Sequence, residues 1–361
     1  MDTIIMWMMA AAAVAGGADR LLGNRFGLGK RFEDGFMLLG PTALSMAGII
    51  CLAPLLSEGL SRGVVPLWTK LGFDAGVLGG VLAIDMGGYQ LAMDLAENPV
   101  LGSYVGIIVA ATFGCTITFT IPVGMGMLQE EDKPVFADGM LIGLSLLPLA
   151  LMIGGLLCAL TPKMVLWHLL PVFILCICLM LGIWRFPKGT VRVFTIFAGL
   201  IRILTTVGLV AGAVQFMTGW QMIPGMTPLE EAMQVVASIG IVMLGSLPFA
   251  ELLQRVLKRP LAWLGRKTGM NGSSITGLLI GIVSVVPAIA LMKDMDKKGK
   301  MVNAAYLVCA ASALAAHMGF TFGVEPQMVV PLLATKIFGG VIGVCGALVF
   351  AQMQERNGKH K

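Results

Sequence analysis

One acidic residue stands in the middle of an otherwise apolar stretch: Asp85, in the sequence AIDMGGYQ at 83–90. An ionised carboxylate far from water requires a cation or several hydrogen-bond donors. The next glycines, Gly87 and Gly88, permit a break in the helix and a close approach of backbone. Tyr89 and Gln90 follow as hydrogen-bonding neighbours. We predict that Asp85 binds an ammonium group or a coupling cation. The alternative is that its side chain only caps the helix that follows.

A second interruption of an apolar stretch is the sequence VSVVPA at 283–288. Pro287 breaks a helix and Ser284 offers one hydroxyl. Backbone carbonyls freed by the break could accept hydrogen bonds from a bound amine. The alternative is a structural kink with no ligand.

Hydroxyl and imidazole side chains lie in two further apolar segments. Thr116 and Thr120 share a helical face at spacing i, i+4, and His317 and Thr321 repeat that spacing later in the chain. The two threonines are candidates for binding substrate, and His317 is a candidate for the substrate site or for a proton site. The alternatives are threonines bonded to their own helix carbonyls and a histidine buried in the core.

The composition shows what surrounds these residues. The chain of 361 residues is 57% hydrophobic and 12% charged, and its mean hydropathy is +0.89. Soluble proteins average about 45–50% apolar and about 25% charged residues, so a soluble enzyme or a disordered chain is excluded. A net charge of +5 excludes a nucleic-acid binder. The seven cysteines lie in apolar runs without a C-x-x-C pair, which predicts neither a metal nor a cofactor site.

Eleven segments approach the length of about 20 apolar residues that a membrane-spanning helix needs. They are 3–20, 35–56, 75–96, 99–123, 136–160, 163–184, 192–218, 232–254, 273–292, 301–322 and 329–353. The sequence therefore predicts an all-α, polytopic membrane protein.

The positions of Lys and Arg constrain the topology, because positively charged loops stay cytoplasmic. Residues 255–267 and 293–300 are both strongly basic, yet they would face opposite sides if segment 273–292 crossed. We therefore predict that segments 75–96 and 273–292 are re-entrant hairpins. Nine full crossings then place the N-terminus and loop 323–328 outside. Lys336, within the last segment, is expected to extend to the membrane surface.

The two predicted hairpins are related in sequence, since LGFDAGVLGGVL at 71–82 aligns with TGMNGSSITGLL at 268–279. The matched spans run in opposite directions, which predicts an inverted repeat of the kind found in secondary transporters. The predicted units are a first repeat at 1–160, a linking helix at 161–191 and a second repeat with a short cytoplasmic tail at 192–361. The hairpin tips should meet near the midplane and bind substrate there.

Several short stretches give the chain a resemblance to a known family. They are Ala-Asp-Arg at 18–20, Phe-Glu-Asp-Gly-Phe-Met at 32–37, Leu-Ala-Pro at 52–54, Ile-Asp-Met-Gly-Gly at 84–88, Thr118, Phe119 and Ile-Pro-Val at 121–123. The chain resembles the ethanolamine-utilization transporter family, EutH, over nearly its whole length, and these stretches are the most informative part of the resemblance.

The resemblance implies a multi-pass protein of the bacterial cytoplasmic (inner) membrane that imports ethanolamine for breakdown by a cobalamin-dependent lyase. The predicted inverted repeat favours alternating access as the mechanism. It makes Asp85 the natural partner of the substrate ammonium, while Thr116, Thr120, Gln90 or Tyr89 could bind the hydroxyl. The alternative is an ion-coupled transporter of another small amine or amino acid. An enzyme is not expected, because no H-E-x-x-H, G-x-S-x-G or paired intramembrane aspartates occur. Membrane lipid is the expected surrounding. The coupling ion and a homo-oligomeric state remain open.

Overall fold

The computed structural model describes residues 2–82 and 85–358, and the regular elements in these ranges are helices. The α-helices are α1 (Asp2–Leu21), α2 (Leu28–Met37), α3 (Leu39–Gly63), α4 (Val65–Lys70), α5 (Val77–Val81), α6 (Gly88–Leu95), α7 (Pro99–Ser103), α8 (Ile121–Met127), α9 (Lys133–Leu157), α10 (Pro162–His168), α11 (Leu170–Arg185), α12 (Pro187–Thr218), α13 (Leu229–Thr268), α14 (Gly272–Gly281), α15 (Val285–Ala290), α16 (Lys297–Ala310), α17 (Met318–Val324) and α18 (Val329–Gly358).

Eight helical stretches within the described ranges are long and apolar enough to cross a membrane. They are Thr3–Leu21, Leu28–Gly63, Pro99–Met127, Lys133–Leu157, Lys188–Thr218, Leu229–Thr268, Lys297–Val324 and Pro326–Gln354. Helices α10 and α11, bent by 54° at their junction, form a ninth if they are taken as one span. These nine coincide with the nine predicted crossings and confirm a polytopic, helical membrane protein.

The two stretches predicted as hairpins contain only short helices in the described residues. In the first, α5 packs against α6, and a turn of 3₁₀-helix at Asp85–Gly87 precedes α6. In the second, α14 packs against α15, and residues 282–284 join them. No single helix of either pair reaches the length of about 20 residues that a crossing needs. That each pair enters and leaves the membrane from one side remains a prediction.

The two ends of each short-helix pair are joined by a hydrogen bond between an aspartate and an asparagine. In the first short-helix pair the aspartate comes first in the sequence, and in the second the asparagine comes first. In the first pair, the backbone N–H of Asn98 donates to Asp74 Oδ2 at 3.0 Å. In the second, the backbone N–H of Asn271 donates to Asp296 Oδ1 at 2.9 Å. These hydrogen bonds hold the start of each short-helix pair next to the start of the following span.

Three of these four side chains also cap helices, because each accepts from N–H groups that a helix start leaves unpaired. Asp74 accepts from the N–H of Gly76 just before α5, and Asn98 caps α7. Asn271 caps α14 and Asp296 caps α16. Thus the second residue of each Asp–Asn pair caps the span that follows, and Asn271 also caps the start of the second hairpin.

A second pair of matched contacts joins the two halves of the chain. An ideal Cβ on Gly48 of α3 would lie 1.8 Å from the carbonyl oxygen of Thr205 in α12. An ideal Cβ on Gly245 of α13 would lie 2.4 Å from the carbonyl oxygen of Met9 in α1. Only glycine permits either approach. Gly48 and Gly245 are 197 positions apart and Met9 and Thr205 are 196 apart, so each half provides the glycine once and the carbonyl once.

These matched contacts support the internal repeat that the sequence predicts. The unit boundaries at 1–160, 161–191 and 192–361, and the opposite orientation of the two units in the membrane, remain predictions.

The span after each hairpin is helical but not a regular α-helix. After α7 the chain is π-helical at Tyr104–Gly114 and Thr116–Thr120 before α8 begins. After α16 it breaks at Ala311 and Ser312 and continues through a π-helical turn at Ala313–His317 into α17. Ser312 has φ of 54°, a left-handed conformation that residues other than glycine seldom adopt. Irregular turns of this kind are frequent at functional sites.

Candidate functional site

Two backbone breaks meet inside the helix bundle. One lies at 282–284, between α14 and α15, and the other at 311–312, after α16. The N–H of Ser312 donates to the carbonyl of Gly281 at 3.0 Å, and the N–H of Leu314 donates to the carbonyl of Ile282 at 2.9 Å. Some of the backbone N–H and C=O groups that have no partner within their own helix are therefore hydrogen-bonded across the two breaks. Each carbonyl oxygen has two lone pairs, so the broken backbone can also accept from a bound amine.

A cleft of about 390 Å³ leads to these breaks. Its lining next to the breaks, which we call its inner end, includes two of the predicted site residues, Ser284 and Pro287, together with Ser312. Apolar side chains also line the cleft, among them Leu247, Ala250, Ile280 and Val283. A small polar molecule in this cleft would meet broken backbone and serine hydroxyls at the inner end.

Charged side chains line the outer end of the cleft. Glu251 accepts from Arg31 Nε at 3.1 Å and from Arg255 Nε at 3.0 Å. A larger cavity of about 860 Å³ shares Glu251, Gln254 and Ile280 with the cleft and extends along the basic end of α13. The cleft therefore opens at the end of the bundle that carries residues 255–267, the end predicted to be cytoplasmic.

One of the two predicted threonines contacts the helix that precedes the second break. Thr116 Oγ1 donates to the carbonyl of Val308 in α16 at 2.9 Å, which connects the two irregular spans. Thr120 is fully buried, and its Oγ1 has no hydrogen-bond partner among the described residues. By contrast, Thr112 and Thr321 bond to carbonyls of their own helices. The expected alternative of helix-bonded threonines thus holds for these two and not for Thr116.

His317 is buried at the end of the π-helical turn. Its Nδ1 lies 3.1 Å from the carbonyl oxygen of Ala311. A carbonyl only accepts, so Nδ1 carries the proton in this contact. The histidine therefore connects the two sides of the break, and its predicted role in proton transfer remains a hypothesis.

The first hairpin is described on both sides of its tip. Gly87 and Gly88 are buried. Asp85 begins the 3₁₀ turn, but residues 83 and 84 and the Asp85 side chain lie outside the described residues. The proposed ammonium partner is thus located by its backbone alone.

Tyr89 and Gln90, just after this tip, point to different neighbours. The Tyr89 ring meets Phe320 of α17 edge-on, with centroids 5.7 Å apart, and its hydroxyl donates to Glu325 Oε1 at 2.9 Å. Gln90 donates to Asp94 on its own helix at 2.8 Å. Tyr89 therefore joins the first hairpin to the span that carries His317, whereas the described contact of Gln90 is local.

Sequence reasoning missed Glu325, which follows α17. Its carboxylate accepts from Tyr89, from Ser103 Oγ at 2.6 Å and from Gln327 Nε2 at 3.3 Å. The available signal was its place in loop 323–328, which has an acidic residue and no Lys or Arg.

The expectation that Lys336 extends to the membrane surface is wrong. Its side chain is fully buried, and Nζ donates to the carbonyl of Ala111 in the π-helical stretch at 2.5 Å. The sequence gives the helix but not which of its faces points inward, and α18 turns Lys336 toward the protein interior.

Comparison with known proteins identifies the family. Residues 1–350 match the family model described as "Ethanolamine utilisation protein, EutH". A protein of Listeria monocytogenes named probable ethanolamine permease EutH is 38% identical over 100% of this chain and 97% of its own length. The protein of that name from Escherichia coli K12 is 35% identical over 96% of this chain and 94% of its own.

A Bacillus subtilis protein, YxeR, named as uncharacterized, is 37% identical over 95% of this chain and 93% of its own length. No solved structure matches the chain. With a family model that covers nearly all residues and full-length relatives above 30% identity, this multi-pass protein of the bacterial cell membrane belongs to the EutH family.

Proposed function

We propose that the chain imports ethanolamine, in its protonated form, across the bacterial cytoplasmic membrane by alternating access. It acts as a transporter rather than an enzyme. The names of its relatives in Listeria monocytogenes and Escherichia coli, both probable ethanolamine permeases, support the substrate.

The observation that carries the proposal is the pair of backbone breaks at the inner end of the cleft. Irregular backbone at membrane depth is tolerated where protein or a watery cavity surrounds it, and transporters bind substrate at such discontinuous helices. Here the breaks at 282–284 and 311–312 pair through the N–H groups of Ser312 and Leu314. A cleft that reaches them from one end of the bundle is what alternating access requires of one of its states.

Ethanolamine suits groups of this kind. A primary amine with a lysine-like pKa of about 10.4 is almost wholly protonated at neutral pH, and its ammonium has three donors. We propose that Asp85 neutralises the ammonium and that carbonyls at the breaks accept the remaining N–H groups. The hydroxyl of ethanolamine would pair with Thr120, which needs a partner. The π-helical stretch that ends at Thr120 packs against α16, and α8 packs against α15.

Uptake of labelled ethanolamine into proteoliposomes at mildly acidic pH tests the proposal. Removing one partner of a buried ion pair costs about 3–5 kcal/mol, and 1.4 kcal/mol is tenfold in affinity. We therefore expect Asp85→Asn to reduce uptake at low substrate concentration by roughly 100-fold or more. Asp94→Asn is the matched control, because Asp94 is an exposed carboxylate of the same hairpin.

Each failure has a separate meaning in this assay. Wild-type uptake no greater than that of empty liposomes would overturn the proposed function. Normal uptake by Asp85→Asn, with a normal amount of protein in the membrane, would remove Asp85 from the site and leave transport standing.

Competition defines the substrate class. Choline has no N–H on its cationic nitrogen, and alanine brings a carboxylate that Asp85 would repel. We expect neither to compete with ethanolamine at equal concentration. If choline or alanine inhibits labelled uptake more strongly than unlabelled ethanolamine does, the substrate is different. Uptake measured under imposed H⁺ or Na⁺ gradients would reveal the coupling ion.

A further inference from the structure

We infer that Glu325 is a second cation site on the substrate path, which binds the ammonium of the incoming substrate at the end of the bundle opposite the cleft. This inference rests on the proposed function, because it assigns to Glu325 the ammonium group of the same substrate. It adds a carboxylate that precedes Asp85 along the path.

The hydrogen bonds of Glu325 fix its carboxylate and leave one oxygen open. Tyr89 Oη and Ser103 Oγ both donate to Oε1, at 2.9 Å and 2.6 Å. Among the described residues, Oε2 accepts one long hydrogen bond, 3.3 Å, from Gln327, whose side chain is exposed. A carboxylate offers about four lone-pair positions, so Oε2 can accept from an ammonium group while Oε1 keeps its two hydroxyl donors.

The charge around Glu325 is uncompensated within the described residues. Glu325 is partly buried, and none of the ion pairs in residues 2–82 and 85–358 includes it. The loops 94–98, 219–231 and 323–328 contain no Lys or Arg. A partly buried carboxylate with neutral donors alone attracts a cation from solution.

Tyr89 connects this carboxylate to the predicted substrate site. It lies four residues after Asp85 in the first hairpin, and its ring contacts Phe320 of α17. An ammonium held by Oε2 of Glu325 would therefore sit next to the residue that leads to the hairpin tip. Glu325 and Asp85 then form an outer and an inner carboxylate on one path.

Saturation kinetics of ethanolamine uptake test the assignment. We expect Glu325→Gln to raise the half-saturating external concentration at least tenfold and to change the maximal rate less than about twofold. Glu97→Gln is the matched control, since Glu97 is an exposed carboxylate in loop 94–98, and it should leave both values unchanged. Ser103→Ala keeps the carboxylate and should raise the half-saturating concentration less than threefold.

Two outcomes would overturn the inference. Unchanged kinetics in Glu325→Gln would show that the carboxylate does not meet the substrate. A Ser103→Ala defect as large as that of Glu325→Gln would show that the carboxylate acts only through its hydrogen bonds to neighbouring side chains.

A binding measurement separates this inference from the proposed function. In purified Asp85→Asn protein, we expect labelled ethanolamine to bind at one remaining site and to lose that site in Asp85→Asn/Glu325→Gln. Equal binding by the two variants, or none by either, would refute the outer site even if wild-type transport is normal. If Asp85→Asn binds ethanolamine and the double variant does not, the outer site is supported even if liposome uptake fails.

Discussion

The exchanged aspartate and asparagine at the hairpin bases allow a direct test of the repeat. In the second half, Asn271→Asp together with Asp296→Asn recreates the order found in the first half, where Asp74 precedes Asn98. If the two bases are equivalent structures, the double variant should fold well although each single variant is damaged.

The structure gives the expected sizes. The Asp296 carboxylate accepts from Ser274 Oγ at 2.6 Å and from the N–H groups of Asn271 and Gly299 at 2.9 and 3.1 Å. Hydrogen bonds to a charged acceptor contribute about 1.5–3 kcal/mol and neutral ones about 0.5–1.5. Neutralising this partly exposed acceptor in Asp296→Asn should therefore cost about 2 kcal/mol. Asn271→Asp alone places two carboxylates together and should cost a similar amount.

We expect the double variant to lose less than either single variant, with an interaction energy of at least about 2 kcal/mol. The measurement is the thermal unfolding midpoint of the purified full chain for all four proteins. The unfolding entropy is about 2.1 cal/mol/K per residue, so in a chain of 361 residues a change of 1 kcal/mol shifts the midpoint by about 1.3 °C. Each single variant should therefore fall by roughly 3 °C. Additive losses in the double variant would refute the equivalence of the two bases.

Three further predictions concern packing and pH. Gly48→Ala should prevent normal folding, because its Cβ would lie 1.8 Å from the carbonyl oxygen of Thr205, whereas Gly40→Ala in the same helix meets nothing within 4 Å and should fold normally; equal yields of the two purified variants would contradict the crossing of α3 and α12. Thr116→Val should lower the unfolding free energy by about 1 kcal/mol, because the Val308 carbonyl loses a buried donor; an unchanged unfolding midpoint would show that this hydrogen bond contributes nothing. Burial works against ionisation of Asp296, but hydrogen bonds from Ser274, Asn271 and Gly299 hold the pKa of Asp296 below its ordinary value. A group with a lowered folded-state pKa stabilises the protein above its unfolded pKa, about 3.9 for aspartate, and loses that contribution as the pH falls through the folded value. The difference in midpoint between wild type and Asp296→Asn should therefore shrink between about pH 5 and pH 3, and a constant difference would contradict the ionised cap.

Much of the fold could be predicted because hydropathy reports directly on spans. The nine predicted crossings coincide with the described helices, since each is an apolar run bounded by polar residues. The alignment of 71–82 with 268–279 also matched Asp74 with Asn271. It did not show that their partners are Asn98 and Asp296, because those hydrogen bonds form between the ends of each hairpin.

The break after α16 could not be predicted from the sequence. Residues 307–317, LVCAASALAAH, contain neither Gly nor Pro, and local propensity favours a continuous helix. The break depends on tertiary hydrogen bonds from Ser312 and Leu314 to the second hairpin. Glu325 was missed for a similar reason: its donors, Tyr89 and Ser103, are more than 200 residues away in sequence.

The central claim is that ethanolamine binds at the inner end of the cleft, where the two backbone breaks meet. The most direct test uses Ser284→Cys in a full chain whose native cysteines are replaced, in sealed membranes, with a membrane-impermeant thiol reagent. We predict that Cys at position 284 is modified from the side that carries residues 255–267 and that saturating ethanolamine slows the modification. Modification only from the opposite side, or at a rate that ethanolamine leaves unchanged, would contradict the account.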